Sequence, residues 1–173
     1  MNRTTLKPIF WVLLALTLLT LAALGLIDEG IKTTASPWGI VSFELCAYRH
    51  ACAEILQNWD PLGKQLAILS LGVDYLFMTL YPATIFVGLL LVSSRVPAGL
   101  RTVTVCLAWG AWLAGIADAF ENYFLAQMVL TDSVHGLAWP AAMAATLKFA
   151  VFGVTVAWLI AACAWVVLIK PAK

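Results

Sequence analysis

Four long apolar runs, at about 8–27, 66–92, 102–130 and 141–169, govern what this chain can become. Each reaches the roughly 20 residues that a helix needs to cross the hydrocarbon of a bilayer. Inside lipid an unpaired N–H or C=O finds no water, so a run of this length satisfies its backbone by coiling on itself. With 63% hydrophobic and 11% charged residues, the composition lies outside that of soluble domains. The mean hydropathy of +0.95 agrees. The expected fold is all-α: an antiparallel four-helix transmembrane bundle formed by residues 1–173 as one membrane domain. The first run reads as a retained span and not as a signal peptide, because its apolar core is too long and no A-x-A cleavage site follows.

Charge placement orients the bundle. Arg3 and Lys7 precede the first run, Arg95 and Arg101 separate the second from the third, and Lys170 and Lys173 follow the fourth. None of these segments holds an acid. Positive charge collects on the cytoplasmic side, so both termini and the tight 93–101 turn, with Pro97 and Gly99, are expected there. That pattern corresponds to a multi-pass protein of a bacterial inner membrane. The net charge of only +1 gives no support for nucleic-acid binding, and membrane lipids are the expected surroundings.

The long first outer segment is expected to fold into a helical cap over about 36–60. Ser36 and Pro37 form a plausible helix start, and Tyr48, Cys52, Ile55, Leu56 and Trp59 recur on one helical face. Trp38 and Trp59 bracket the segment as interfacial anchors would. The cap is either a lid or a plain interfacial covering. Cys46 and Cys52 lie in this oxidising outer space. On one unbroken helix they would be about 9 Å apart along the axis and out of reach, so a disulfide needs a break between two short helices. Cys106 and Cys163 fall inside spans and are expected to be small packing residues.

Ionisable residues inside spans are costly and mark a function or a pairing. Asp74 lies in the second run, Asp118 and Glu121 in the third and Lys148 in the fourth. At 1.5 Å per residue, Asp74 and Lys148 each lie roughly 12 Å below the outer end of their runs, and Asp118 roughly 24 Å from the inner start of its own. Asp118, Glu121 and Asn122 are spaced i, i+3, i+4 and share a stripe with Ala108, Ala111 and Gly115, small residues that permit close helix approach. Pro82 leaves the Met78 carbonyl without its helical donor, just below Asp74. Two readings follow. In one, Lys148 pairs with an acid, while Asn122, Tyr75 and Tyr123 satisfy the rest as interhelical glue. In the other, three carboxylates against one ammonium leave an excess of negative charge that suits a cationic ligand or proton transfer.

No nucleophile motif, Gly-rich phosphate loop or Cys-x-x-Cys pair is present, so no cofactor is expected. His50 and His135 sit on the outer side without metal-ligand spacing, so solvated or capping roles are expected and no metal.

The strings "GIVSFEL", "LGVDYLF" and "DAFEN" resemble those of a group of bacterial four-span integral membrane proteins. More loosely, Asp28 and "DYLFMTLYPAT" from Asp74 resemble the acid-then-proline layout of the emopamil-binding/sigma-2 receptor-like (EXPERA) family. That likeness implies four spans, a structured outer loop and membrane acids around a sterol-sized cavity. The family's catalytic histidine pattern has no counterpart here, which leaves binding as the implied activity. The expected function is binding of a small amphiphilic or cationic ligand in an acidic pocket near the outer leaflet. Asp74, Asp118, Glu121, Asn122, Lys148, Tyr75 and Tyr123 are its candidate residues. The alternatives are an accessory subunit or assembly factor of a larger membrane complex and, third, a proton-coupled transporter or membrane enzyme. Transport would require at least a homo-oligomer, since no inverted repeat is visible.

Overall fold

The computed structural model describes residues 3–169. Lys170 and Lys173, counted above in the charge asymmetry, lie outside the described residues, as does the side chain of Arg3. The described chain is all-α. Four long helices carry the fold: α1 (Arg3–Asp28), α4 (Pro61–Ser93), α5 (Ala98–Thr131) and α6 (Ala138–Ile169). Each is long and apolar enough to cross a membrane, which fits a multi-pass membrane protein. Between α1 and α4 lie two short helices, α2 (Ile40–Glu44) and α3 (Cys52–Asn58), with 3-10 turns over Glu29–Ile31 and Cys46–Arg49.

Local chemistry explains why the helices outrun the hydropathy pattern. At α4, the Asp60 carboxylate accepts from the Gly63 N–H at 2.7 Å and Pro61 occupies the first turn, where its missing N–H costs nothing. At the end of α5, Asp132 takes a left-handed conformation (φ 51°) and the Ser133 N–H returns to the Met128 carbonyl.

α4 is the spine. It packs along α1 on one side and α5 on the other, and α6 packs along α5 while also touching α4. The α4–α5 seam is tight. Ala108, Ala111 and Ala114 are fully buried in it, and a Cβ on Gly115 would stand 2.6 Å from the Met78 carbonyl oxygen and 3.0 Å from Pro82. The carbonyl stripped of its donor by Pro82 is thus the surface on which Gly115 rests. α1 and α6, by contrast, make little contact with each other. At the end away from the cap, Phe10 and Leu159 both close over Gly88, 3.0 and 3.1 Å from where its Cβ would be. Nearer the cap the two helices stand apart.

The cap differs from expectation in several details. Ser36 does not cap a helix. Its hydroxyl donates to the Ile31 carbonyl, a turn follows, and α2 begins after Gly39. Gly39 has φ +58°, and any side chain there would strike the Asp28 carboxylate, whose Oδ1 accepts from the Ile40 N–H at 3.2 Å. Trp59 is no interfacial anchor. It is buried, its indole N–H donates to the Ile31 carbonyl at 2.8 Å, and its ring meets Phe43 edge-on. Trp38 is exposed, as an anchor would be. The chain breaks at His50 (φ 52°), between the second 3-10 turn and α3, and Cys46 and Cys52 are joined in a disulfide. Cys106 and Cys163 face outward and are not packing residues; α6 is apolar on every side, so its pattern carries no phase to read.

Two apolar clusters result. One joins the cap to the near ends of α4, α5 and α6 through Ile31, Phe43, Ile55, Trp59, Leu125 and Met128. The other lies deeper between α4 and α5, around Met78, Ile85, Leu89 and the three alanines. The ionisable residues occupy the layer between the two.

Candidate functional site

Lys148 is the centre of that layer. Its Nζ lies 2.8 Å from Glu121, 3.2 Å from Asp118 and 3.3 Å from Glu44, and all four side chains are buried. Asp118 and Glu121 reach it from successive turns of α5, as their i, i+3 spacing requires. Glu44 comes from the last residue of α2 and was not anticipated from the sequence. It is carried inward because its neighbour Phe43 drives into the cap core, fully buried. Burial pushes the Glu44 carboxyl above its ordinary value, with the Lys148 ammonium pulling it back.

Asp74 stands apart from this cluster. Its Oδ2 accepts from Asn122 Nδ2 at 2.7 Å, it is half-buried, and no cation of the described residues pairs with it. The layer is under-satisfied. Among the described residues, five buried side-chain atoms lack a hydrogen-bond partner: Glu44 Oε2, Tyr81 Oη, both carboxylate oxygens of Glu121, and Asn122 Oδ1. All five are oxygens and all belong to this layer. Several have a polar neighbour all the same: the Tyr81 hydroxyl has Asp118, Glu121 Oε2 has Lys148 at 2.8 Å, and Glu44 has Glu121. The Asn122 amide oxygen has none, and a buried polar atom without a partner calls for one.

A cavity of about 390 Å³ opens on the layer. Asp74, Asp118, Asn122, Lys148 and Tyr81 line its polar end, with Glu44 and Asp28 toward the cap. Its remaining wall is apolar, with Leu21 and Leu24 of α1 facing Phe149 and Phe152 of α6. α1 and α6 both contribute to the lining while making little contact with each other. The volume falls in the range of small-molecule sites, and the lining has their usual form of apolar walls with a few convergent polar groups.

Of the residues singled out in the sequence, Asp74, Asp118, Asn122 and Lys148 meet in this cavity. Glu121 does not line it; its side chain is fully buried behind, turned to Lys148. Tyr75 and Tyr123 are not in it either. They are 46% and 53% exposed and face outward. Tyr75 makes only a long 3.5 Å contact to the Ala119 carbonyl. Tyr81 was missed as a lining residue, although it lies seven residues after Asp74, two turns along the same face. The residues described contain no cluster of three or more metal-ligating side chains.

No protein-family model, curated protein or solved structure matches this chain. The two likenesses drawn above therefore rest on the quoted residues alone.

Proposed function

We propose that this protein binds a small amphiphile, with the polar head held in the acidic layer and the apolar part leaving between α1 and α6. The observation that carries the reading is the cavity of about 390 Å³ with ionisable side chains at one end and apolar side chains at its lateral mouth. A cationic or hydroxylated head suits it, because four carboxylates, Asp28, Glu44, Asp74 and Asp118, line the cavity against one ammonium. We place the protein in a bacterial inner membrane with its termini and the Arg95–Arg101 turn in the cytoplasm, on the strength of the charge asymmetry. The mouth then faces the outer leaflet. Labelling of a cysteine introduced at position 98 tests that orientation: it should need permeabilised cells, and labelling of intact cells from outside would reverse it.

Native mass spectrometry of protein extracted in gentle detergent tests the binding. A retained lipid-sized mass is expected in the wild type and should be lost in Asp74→Asn. Protein that is mass-clean but arrives with stoichiometric partner chains would replace this reading with that of an accessory subunit.

A further inference from the structure

We infer that the head group recognised in this cavity is an N–H-bearing ammonium, as in a protonated single-chain amine, and that a quaternary ammonium is rejected. The inference rests on the binding reading above and narrows it. A charge count would favour any cation. The hydrogen-bond inventory favours one kind only. Asn122 Oδ1 belongs to a residue more than nine-tenths buried that lines the cavity, and it has no hydrogen-bond partner; Glu44 and Tyr81 line the same cavity, beside Glu121 and Asp118. Asn122 Oδ1 is an acceptor without a proton to offer, since the Asn122 amide N–H is already committed to Asp74. Asp74 itself is half-buried at the same wall with no cation of its own.

Such oxygens are completed by donors. A primary ammonium presents three N–H groups in a small volume and can meet an amide oxygen, a carboxylate and a phenol at once. A trimethylammonium brings the same charge and no donor, so it would bury these oxygens more deeply and leave them unpaired. Nor is the site an aromatic cage of the kind that takes quaternary heads. Its rings are already engaged: the Lys148 ammonium lies 4.7 Å from the centre of the Phe149 ring, and Phe77 and Phe152 pack on Tyr81, so no open cage is left for a quaternary head. Lys148 does not compete for the role, since its ammonium already has three carboxylates.

The route is lateral. Gly25 of α1 lines the cavity, and nothing lies within 4 Å of where its Cβ would be, so the mouth is kept open there by the absence of a side chain. An alkyl chain passing Gly25 continues into the lipid of the leaflet on the cap side.

The test uses the full chain in phosphatidylcholine nanodiscs and four probes of one tail length: dodecylamine, dimethyldodecylamine, dodecyltrimethylammonium and dodecanol. Affinity is read by native mass spectrometry and by thermal shift at neutral pH. Expected are tightest binding for dodecylamine, weaker binding for the tertiary amine with its single N–H, and a loss of at least about tenfold for the near-isosteric quaternary compound. Asp74→Asn should remove the preference for dodecylamine, and Gly25→Leu should weaken all four by filling the mouth without touching the polar layer. Equal binding of the tertiary and quaternary cations would overturn the donor requirement while leaving the binding site in place. Dodecanol matching dodecylamine would overturn the requirement for charge. Binding of none of the four, in a protein that retains its fold, would remove the pocket reading and this inference with it.

Discussion

The Lys148 side of the polar layer and the Asp74 side carry carboxylates at one depth, yet they are built to different ends. Around Lys148, carboxylates from α2 and α5 converge on one ammonium carried by α6, all of them buried. Around Asp74, a single amide answers the carboxylate and the remaining space is open cavity. The first arrangement ties elements together; the second waits for something to arrive. A count of charges along the chain treats the acids alike. The difference comes from which elements stand in front of each. α5 and α6 press together beside Asp118, while α1 and α6 separate in front of Asp74.

The sharpest way to break this contrast is Lys148→Met. Removing the shared cation leaves three buried carboxylates uncompensated and should cost about 3–5 kcal/mol, read as a fall in thermal or denaturant midpoint in nanodiscs. A loss below about 1 kcal/mol would mean that the cluster is not structural and would erase the distinction.

Next in size is the strap that brings Glu44 to the cluster. Replacing Cys46 and Cys52 together by serine should cost about 2 kcal/mol, measured the same way, because the bridge lies just beyond Glu44 and constrains the chain that delivers it. Should stability be unchanged while protease cleavage around residues 45–52 rises, the strap would be a local staple with no hold on the polar layer.

Smaller still is the pH effect of Glu44. Its carboxyl is raised by burial, so the native fold holds the proton more tightly than the unfolded chain does. That contribution is complete below the ordinary value of about 4.5 and is lost as pH rises through the higher folded value. Midpoints measured from pH 5 to pH 8 should therefore fall more steeply for the wild type than for Glu44→Gln. Parallel curves would show that Lys148 fully offsets the burial of Glu44.

The smallest stability change belongs to Asp74→Asn. The amide keeps the shape at a half-buried position, so stability should move by less than about 0.5 kcal/mol while the retained mass is lost. If instead stability falls as far as in Lys148→Met, the two sides of the layer are equivalent and the open side is structural too.

Much of the bundle was legible in the sequence because lipid imposes a single rule on four long apolar runs. The inward stripe of Asp118, Glu121 and Asn122 followed from spacing, and the pairing of Lys148 with an acid of another span from charge and depth, without saying which span supplies it. What escaped has physical reasons. Glu44 belongs to a five-residue helix, too short for a periodicity to show which way it points. Its inward direction is set by Phe43 and the disulfide strap, which are tertiary facts. Tyr75 and Tyr123 were expected to satisfy the acids between helices, but both face outward, and an apolar surround leaves no sequence cue to which way a tyrosine turns. The separation of α1 from α6 has no signature in the sequence.

The Lys148 cluster also bears on how such a chain enters a membrane. α5 carries Asp118 and Glu121 into lipid, and an acid near the centre of an isolated inserting helix costs about 2.5–3.5 kcal/mol, as does a lysine. Separately, α5 and α6 would each bear that cost unrelieved. Released together as a hairpin, they bring the ammonium to its carboxylates during insertion, and the short connection over residues 132–137 allows this. Glu44 lies before both helices in the chain, so it waits for Lys148, and the cluster closes only when the last helix has been made.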